Sequence, residues 1–409
     1  MKTTYRQKIV NDPIYGFITI PSRLVFQLIE HRYFQRLRRI SQMGFTNMVY
    51  PGANHTRFHH ALGAMFLMQK AVHVLQSKKV SISEEEEEAL YVAILLHDIG
   101  HGPFSHAMEN LIVPGISHED ISLFFMHKLN KEFDGKLSLA IQIFKNEYPR
   151  KFLHQLVSGQ LDMDRLDYLK RDSFYTGVSE GTVNSQRLIA MLYVKDDNLV
   201  VEEKGIYSVE NFIVARRLMY WQVYLHKTGV AAEQLLIKIF ERAKKLLDDG
   251  IALQSSAPLR YFMSRSGEGV GFTDKDLEVF SKLDDTDIFA AMKQWETHND
   301  FVLKNLCSKL LDRKLLKVEI QPAPFSDQII EVMRSEFCEK HKVSKEEAAN
   351  FIFSGKLVNQ AYSMKKDPIG LLRKNGEVID VAKLSDQLNL EALSNTVVKY
   401  YMCYPKIMR

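Results

Sequence analysis

Three imidazoles and a carboxylate fall within ten consecutive residues, His97-Asp98-Ile99-Gly100-His101-Gly102-Pro103-Phe104-Ser105-His106, directly after an apolar run over 89–96. Adjacent His and Asp side chains are both ligands for first-row divalent metals, and a buried carboxylate without a cation or donor is too costly to expect. The histidine density is not compositional. Eight of the fourteen histidines (His55, His59, His60, His73, His97, His101, His106 and His118) lie between positions 55 and 118, where even scatter would put about two. If His60, His97, Asp98 and Asp164 meet, two neutral imidazoles and two carboxylates make a centre suited to a divalent ion: iron, manganese, zinc, nickel or magnesium. Such a centre polarises a phosphoryl oxygen and acidifies a bound water, so phosphate-ester hydrolysis is the expected chemistry. That reaction needs a proton for the leaving oxygen and cations for the non-bridging oxygens. His106 is the candidate donor, Glu109 and His118 the groups that could orient it, and Arg57, His101, Arg165 and Lys170 the phosphate contacts. For Lys170 and Glu109 an ordinary internal pair is an equally good account, and His73 on its apolar helix reads as structural.

Certain elements must position these groups. Ser83 followed by Glu84, Glu85, Glu86, Glu87 and Glu88 offers a cap and a first-turn acid cluster, which predicts a buried helix carrying His97 and Asp98 inward. Gly100, Gly102 and Pro103 stop it and leave His101 and His106 on irregular backbone. A loop over 50–60 leads into an apolar helix over 61–75. Of Asp162, Asp164, Asp167 and Asp172, not all can reach one point from a straight helix, but Asp164 shares a face with Asp167 or Tyr168. One acid then completes a metal site and others form local pairs. Upstream, 11–16 predicts a turn, 17–20 a strand or tight connector, and 21–43 a helical stretch whose Arg36, Arg38 and Arg39 are as readily a solvated face as a functional one. Downstream, 192–203 predicts a hairpin, 209–227, 231–249 and 273–295 predict helices, and the Gly/Ser-rich 264–269 separates the last two. Beyond about 315 come a strand (316–320), a helix (327–341) and a hairpin turn (374–377). The expected division is a mainly α domain over 1–315 and a small α+β unit over 316–409.

The chain has 409 residues, 46% of them hydrophobic and 25% charged, as in a soluble protein with a large core. A net charge of +4 is too mild to argue by itself for a nucleic-acid surface, although it allows a local basic pocket for phosphates. Cys307, Cys338 and Cys403 lie far apart, so neither a disulfide framework nor a thiolate zinc site is indicated and a reducing cytoplasm is expected. Neither an apolar N-terminal signal region nor a run of eighteen apolar residues occurs, so secretion and membrane spanning are not expected.

These motifs resemble those of the HD-domain phosphohydrolases, and within them the dNTP triphosphohydrolase branch that includes the sterile-alpha-motif and HD-domain dNTPases. The metal signature of that family is a His, a His-Asp doublet and a distant Asp, matched by His60, His97-Asp98 and Asp164. Asn11-Asp12-Pro13-Ile14-Tyr15-Gly16, Phe34-Gln35-Arg36-Leu37-Arg38, Tyr50-Pro51-Gly52-Ala53 and Asp164-Arg165-Leu166-Asp167-Tyr168 extend the match over about residues 8–230. The resemblance implies an α-helical HD core, small β-hairpins beside it, and cleavage at the α-phosphate to give a deoxynucleoside and inorganic triphosphate. It implies a proton donor at His106 helped by Glu109 and His118, His101 beside the phosphates, and a substrate pocket lined by Arg57, Gln42, Arg165, Tyr168, Asp172, Arg216 and Tyr224. Tyr168 and Asp172 would sit near the sugar, where a tight fit excludes a 2′-hydroxyl. It further implies a homo-oligomer, dimer or tetramer, with a guanine-nucleotide activator site between subunits at Asn11, Gln35, Arg38 and Glu30, the last replacing the Asp of the animal enzymes. No counterpart of the sterile-alpha-motif domain is seen. Two alternatives stay open: a phosphodiesterase or phosphomonoesterase acting on another nucleotide, and a nucleotide-sensing regulator with weak catalysis.

Overall fold

The chain is helical wherever an apolar stripe or an all-round apolar run was visible, and the centre of the molecule is the helix Arg57–Ser77. Ala61, Ala64, Met65, Met68, Ala71, Val72 and Leu75 on it are all fully buried. A helix apolar on every side must be covered on every side, and Glu84–Leu96 and Met163–Thr176 pack against it. The computed structural model describes residues 7–265, 271–364, 367–385, 390 and 394–406, with the side chains of His106 and Asn110 left out. Most of the 264–269 segment therefore lies outside the described residues.

Nine strands are present among the described residues: β1 (Ile9–Asp12), β2 (Gly16–Thr19), β3 (Leu192–Lys195), β4 (Asn198–Glu202), β5 (Lys317–Gln321), β6 (Phe353–Asn359), β7 (Gly370–Leu372), β8 (Val378–Asp380) and β9 (Val397–Tyr404). They form the hairpin β1-β2, a sheet in the order β3-β4-β7-β8, and a sheet in the order β5-β9-β6. The fold is mainly α with small sheets. The 192–203 hairpin pairs Leu192 with Val201, and β4 pairs in parallel with β7, so the C-terminal stretch shares a sheet with the middle of the chain.

Four expectations change in detail. The 11–16 turn is the tip of a hairpin whose first strand, β1, carries too few apolar residues to announce itself. The 21–43 stretch is two short helices, Arg23–Glu30 and Arg32–Gln35, followed by a 3-10 turn over Arg36–Arg39. The break falls at His31, whose extended backbone ends one helix and whose ring accepts from Tyr33 N–H to cap the next. The 273–295 stretch divides at Asp284, which caps Asp285–Trp295. The helix Ile206–Met219 ends in a π turn over Tyr220–Tyr224, and His226 caps a new helix, Lys227–Asp248.

Candidate metal centre and active site

The first turn of the Arg57–Ser77 helix delivers Arg57 and His60 to one point. Ser83 and Glu86 form the capping box that starts the Glu84–Leu96 helix, and His97 and Asp98 follow its last residue. The turn behind them has no room for a side chain at Gly100: a Cβ there would sit 2.2 Å from the His118 carbonyl and 2.3 Å from Ser122 N. Ser122 ties the turn down by accepting from Gly100 N–H (2.9 Å) and donating to the His97 carbonyl (2.8 Å). Asp162 caps the helix Met163–Thr176, accepting from Arg165 N–H at 2.7 Å, and so presents Asp164 one residue into that helix.

Hydrogen bonds select the tautomer of both imidazoles. His60 Nδ1 donates to Asp167 Oδ2 (2.8 Å) and His97 Nδ1 to the Ile94 carbonyl (2.6 Å). Each ring therefore turns an unprotonated Nε2 toward the other partner. Both Nε2 atoms are buried and neither has a hydrogen-bond partner. They lie 3.1 and 3.4 Å from Asp164 Oδ1 without hydrogen-bond geometry, and His60, His97 and Asp164 each offer one donor atom within 4.8 Å of the others. Orphaned nitrogens converging on a carboxylate are costly without a cation, so the donor set fits a divalent metal. Asp98 adjoins the group, its oxygens 3.4 Å from His97 Nε2 and 3.7 Å from His60 Nε2. It is also paired with Arg57 (2.6 Å) and lies 3.2 Å from His101 Nε2.

Electrostatics follow from this crowding. Burial would lower the His60 pKa, but Asp164 and Asp167 outweigh it and raise it to about 10, so the carboxylates draw a positive charge to this ring, a proton on Nε2 or, in its place, a metal ion that leaves the imidazole neutral. Burial would raise Asp98 and Asp164, but the imidazoles, with Arg57 acting on Asp98, hold both below the usual carboxylate range. Burial and the neighbouring Arg57 push His101 well below the ordinary histidine value. His101 Nδ1 lies 2.5 Å from Ser105 Oγ, and its ring stacks on His118 at 3.9 Å. His118 in turn is held by Glu109, through its backbone N–H (2.5 Å) and Nδ1 (3.0 Å). His106 lies not on irregular backbone, as expected, but on the helix Ser105–Ile112, because the chain turns back into a helix at the left-handed Phe104, and its side chain is outside the described residues.

Two cavities meet at this centre. One, of about 470 Å³, runs past Gln42, Tyr168, Asp172 and Tyr224. The other, of about 800 Å³, is walled by Lys151, His154, Gln160, Tyr362 and Asp367. Asp98, His118, Asp164, Arg165 and Arg216 line both. On the wall of the smaller lobe, Asp172 accepts from Tyr224 Oη (2.6 Å) and pairs with His55 Nε2 (2.7 Å). Arg57, Arg165 and Arg216 each retain a buried Nε without a partner.

The HD domain model matches residues 57–172 and the HD associated region model residues 183–255. A crystal structure of a phosphohydrolase from Bacteroides thetaiotaomicron is 50% identical, covers 98% of this chain and 100% of its own, and superposes with a TM-score of 0.94. The uncharacterized protein YwfO of Bacillus subtilis is 35% identical over 324 residues, 77% of this chain and 73% of that one. The chain belongs to the HD-domain phosphohydrolases. The deoxynucleoside triphosphate triphosphohydrolase SAMHD1 homolog of Dictyostelium discoideum is 33% identical over 260 residues; the match takes in 59% of this chain and half (50%) of that protein.

Several residues on which this HD phosphohydrolase site depends take roles that the sequence did not assign them. Asp167, fully buried, accepts from Arg171 Nε (2.9 Å) and Nη2 (3.0 Å) as well as from His60, and Arg171 Nη1 donates to Asp12 at 2.8 Å. Arg36 is not on a solvated face. It is fully buried and donates to the carbonyls of Ile99 (2.9 Å), His101 (2.9 Å) and Leu283 (3.2 Å), clamping the turn that bears His101. Lys170 stands over the Tyr15 ring at 4.9 Å and lines neither cavity. The activator candidates Gln35 and Arg38 are joined by a 2.9 Å hydrogen bond. Asn11 lies opposite Phe17 in the β1-β2 hairpin, and Glu30 ends its helix. None of these four lines either cavity.

Proposed function

We propose that this HD phosphohydrolase hydrolyses dNTPs to a deoxynucleoside and inorganic triphosphate. The carrying observation is the pair of cavities meeting at the His60, His97, Asp164 cluster, with Arg165 and Arg216 at the junction. A nucleoside fits one lobe and a polyphosphate the other, which puts the α-phosphate at the centre. His60, His97 and Asp164, joined by Asp98, would hold a divalent metal, which when bound polarises a phosphoryl oxygen and acidifies water. Arg57, Arg165 and Arg216 carry the unpaired N–H groups that suit non-bridging oxygens. His106 is the proton donor to the leaving 5′-oxygen, and Glu109 and His118 orient it. Tyr168 and Asp172 pack the sugar, and the Asp172–Tyr224 hydrogen bond narrows the lobe against a 2′-hydroxyl. Residues 1–315 form the catalytic domain. The 316–409 unit supplies the wall of the larger lobe at Tyr362 and Asp367. The active form is a cytoplasmic homo-oligomer, and a guanine nucleotide bound at Asn11, Glu30, Gln35 and Arg38 activates it.

The test is product analysis of metal-assayed protein with the four dNTPs, GTP as a ribonucleotide control, and Mg²⁺ or Mn²⁺. Deoxynucleoside plus triphosphate is expected. Phosphate or pyrophosphate as product would assign another phosphoester, and no turnover with metal bound would assign a sensor.

A further inference from the structure

Glu233 stands on the Lys227–Asp248 helix, which packs against both the 3-10 turn Gly44–Met48 and the helix Ser105–Ile112. It lines the smaller cavity but not the larger one. On the proposed reading the nucleoside occupies this smaller lobe, and Glu233 stands on its wall. Among the described residues no cation or hydrogen-bond donor acts on its carboxyl. Burial alone accounts for its pKa being pushed up to about 7. Gln42, which lines the same lobe, also leaves its buried Oε1 without a partner. Acceptors facing one lobe without donors are a cost that a ligand's donors can remove.

On the reading of this site as a dNTP triphosphohydrolase, we propose that Glu233 reads the base and selects guanine. A carboxylate presents two acceptors side by side. Guanine alone of the four bases answers with two adjacent donors, N1–H and the N2 amine. Adenine and cytosine set a ring-nitrogen acceptor next to their amine, and thymine flanks its single N–H with two carbonyls; both arrangements push lone pairs against a carboxylate oxygen. Tyr168, Asp172 and Tyr224 are engaged with the sugar, which leaves the base to Glu233 and Gln42.

The test compares kcat/KM for the four dNTPs and dITP at pH 8, with GTP held constant in every reaction, in wild type and Glu233→Gln. Wild type is expected to favour dGTP, and dITP, which lacks the N2 amine, to fall behind it. In Glu233→Gln the dGTP to dTTP ratio should drop roughly ten- to a hundredfold, the discrimination of one bidentate base contact, since an amide matches thymine's N3–H and O4 better than guanine's two donors. A wild-type protein indifferent between dGTP and dITP, or a folded Glu233→Gln with an unchanged dGTP to dTTP ratio, overturns the inference while leaving the reaction standing. If wild type hydrolyses no dNTP, the triphosphohydrolase reading fails and takes the base assignment with it. Should Glu233→Gln not fold, the dGTP against dITP comparison in wild type decides alone.

Discussion

Asp167→Asn tests whether the metal centre depends on the buried carboxylate behind His60. Both oxygens of Asp167 are committed: Oδ1 accepts from Arg171 Nη2 at 3.0 Å, and Oδ2 accepts from Arg171 Nε at 2.9 Å and His60 Nδ1 at 2.8 Å. An asparagine amide must set its NH₂ against a donor whichever way it turns. The less costly rotamer faces Arg171 Nη2 and keeps the oxygen on His60 and Nε, but the charge is gone from every contact. Breaking a buried ion pair from one side costs roughly 3–5 kcal/mol, and the surviving Asp12–Arg171 pair keeps this change near the lower end. At the metal, losing a carboxylate behind a ligating imidazole weakens affinity about ten- to a hundredfold, because the ring becomes less basic and less firmly oriented. Metal-stripped wild type and variant would be titrated with Mn²⁺ or Zn²⁺ by calorimetry, with circular dichroism to verify the helices. An affinity within about threefold of wild type would refute the argument, since the expected loss begins near tenfold. The pH dependence has a definite sign. Burial raises the Asp167 pKa, but Arg171 and His60 outweigh it and hold it below the ordinary value. Its contribution to stability is therefore present above about pH 4 and lost as the pH falls through the depressed pKa, so the wild-type advantage over Asp167→Asn should shrink in acid.

Asp164→Ala should lose bound metal and turnover together while circular dichroism stays unchanged, because its side chain is 26% exposed; normal metal content would remove Asp164 from the site. Gly63→Ala places a Cβ 2.1 Å from both Arg171 Nη2 and Asp167 Oδ1, so thermal unfolding should come earlier and metal affinity should fall in step with Asp167→Asn. Arg36→Met should leave three carbonyls around the His101 turn without their donor, at about 1–3 kcal/mol for each one left unsatisfied, read as a lower melting temperature; an unchanged melting temperature would show that water replaces the guanidinium.

The parts of the fold legible in sequence were those whose signal is local. Ser83 and five following glutamates mark a helix start through capping and dipole, and the helix begins at Glu84. The helix Asp327–His341 and the hairpin turn between β7 and β8 were readable for the same reason. Breaks made by a single side chain were not. His31 and His226 each accept a hydrogen bond from the backbone N–H two residues on, at 3.3 and 3.1 Å, and so start new helices where apolar periodicity runs on unbroken. Nor could periodicity anticipate that β7, a three-residue strand, would join β4, its residues pairing from Val200 with Gly370 to Glu202 with Leu372.

The same distinction runs through the site. His60, His97 and Asp164 stood out because ligand residue types recur at motif spacing, and the structure gathers them. Asp167 and Arg171 lie four apart on one helix, a spacing that serves an exposed pair equally well, yet burial makes them the support of His60 and ties Arg171 to Asp12, 159 positions away. A one-dimensional pattern carries no information about which face of that helix is dry. The consequence is physical continuity: Asp12 sits at the end of β1, next to Asn11, and is joined through Arg171 and Asp167 to the imidazole of His60 without an exposed link. Any displacement of the hairpin that withdrew Asp12 would leave Arg171 to Asp167 alone and alter the field at His60, so the N-terminal hairpin is part of the metal centre's electrostatics although it touches neither cavity.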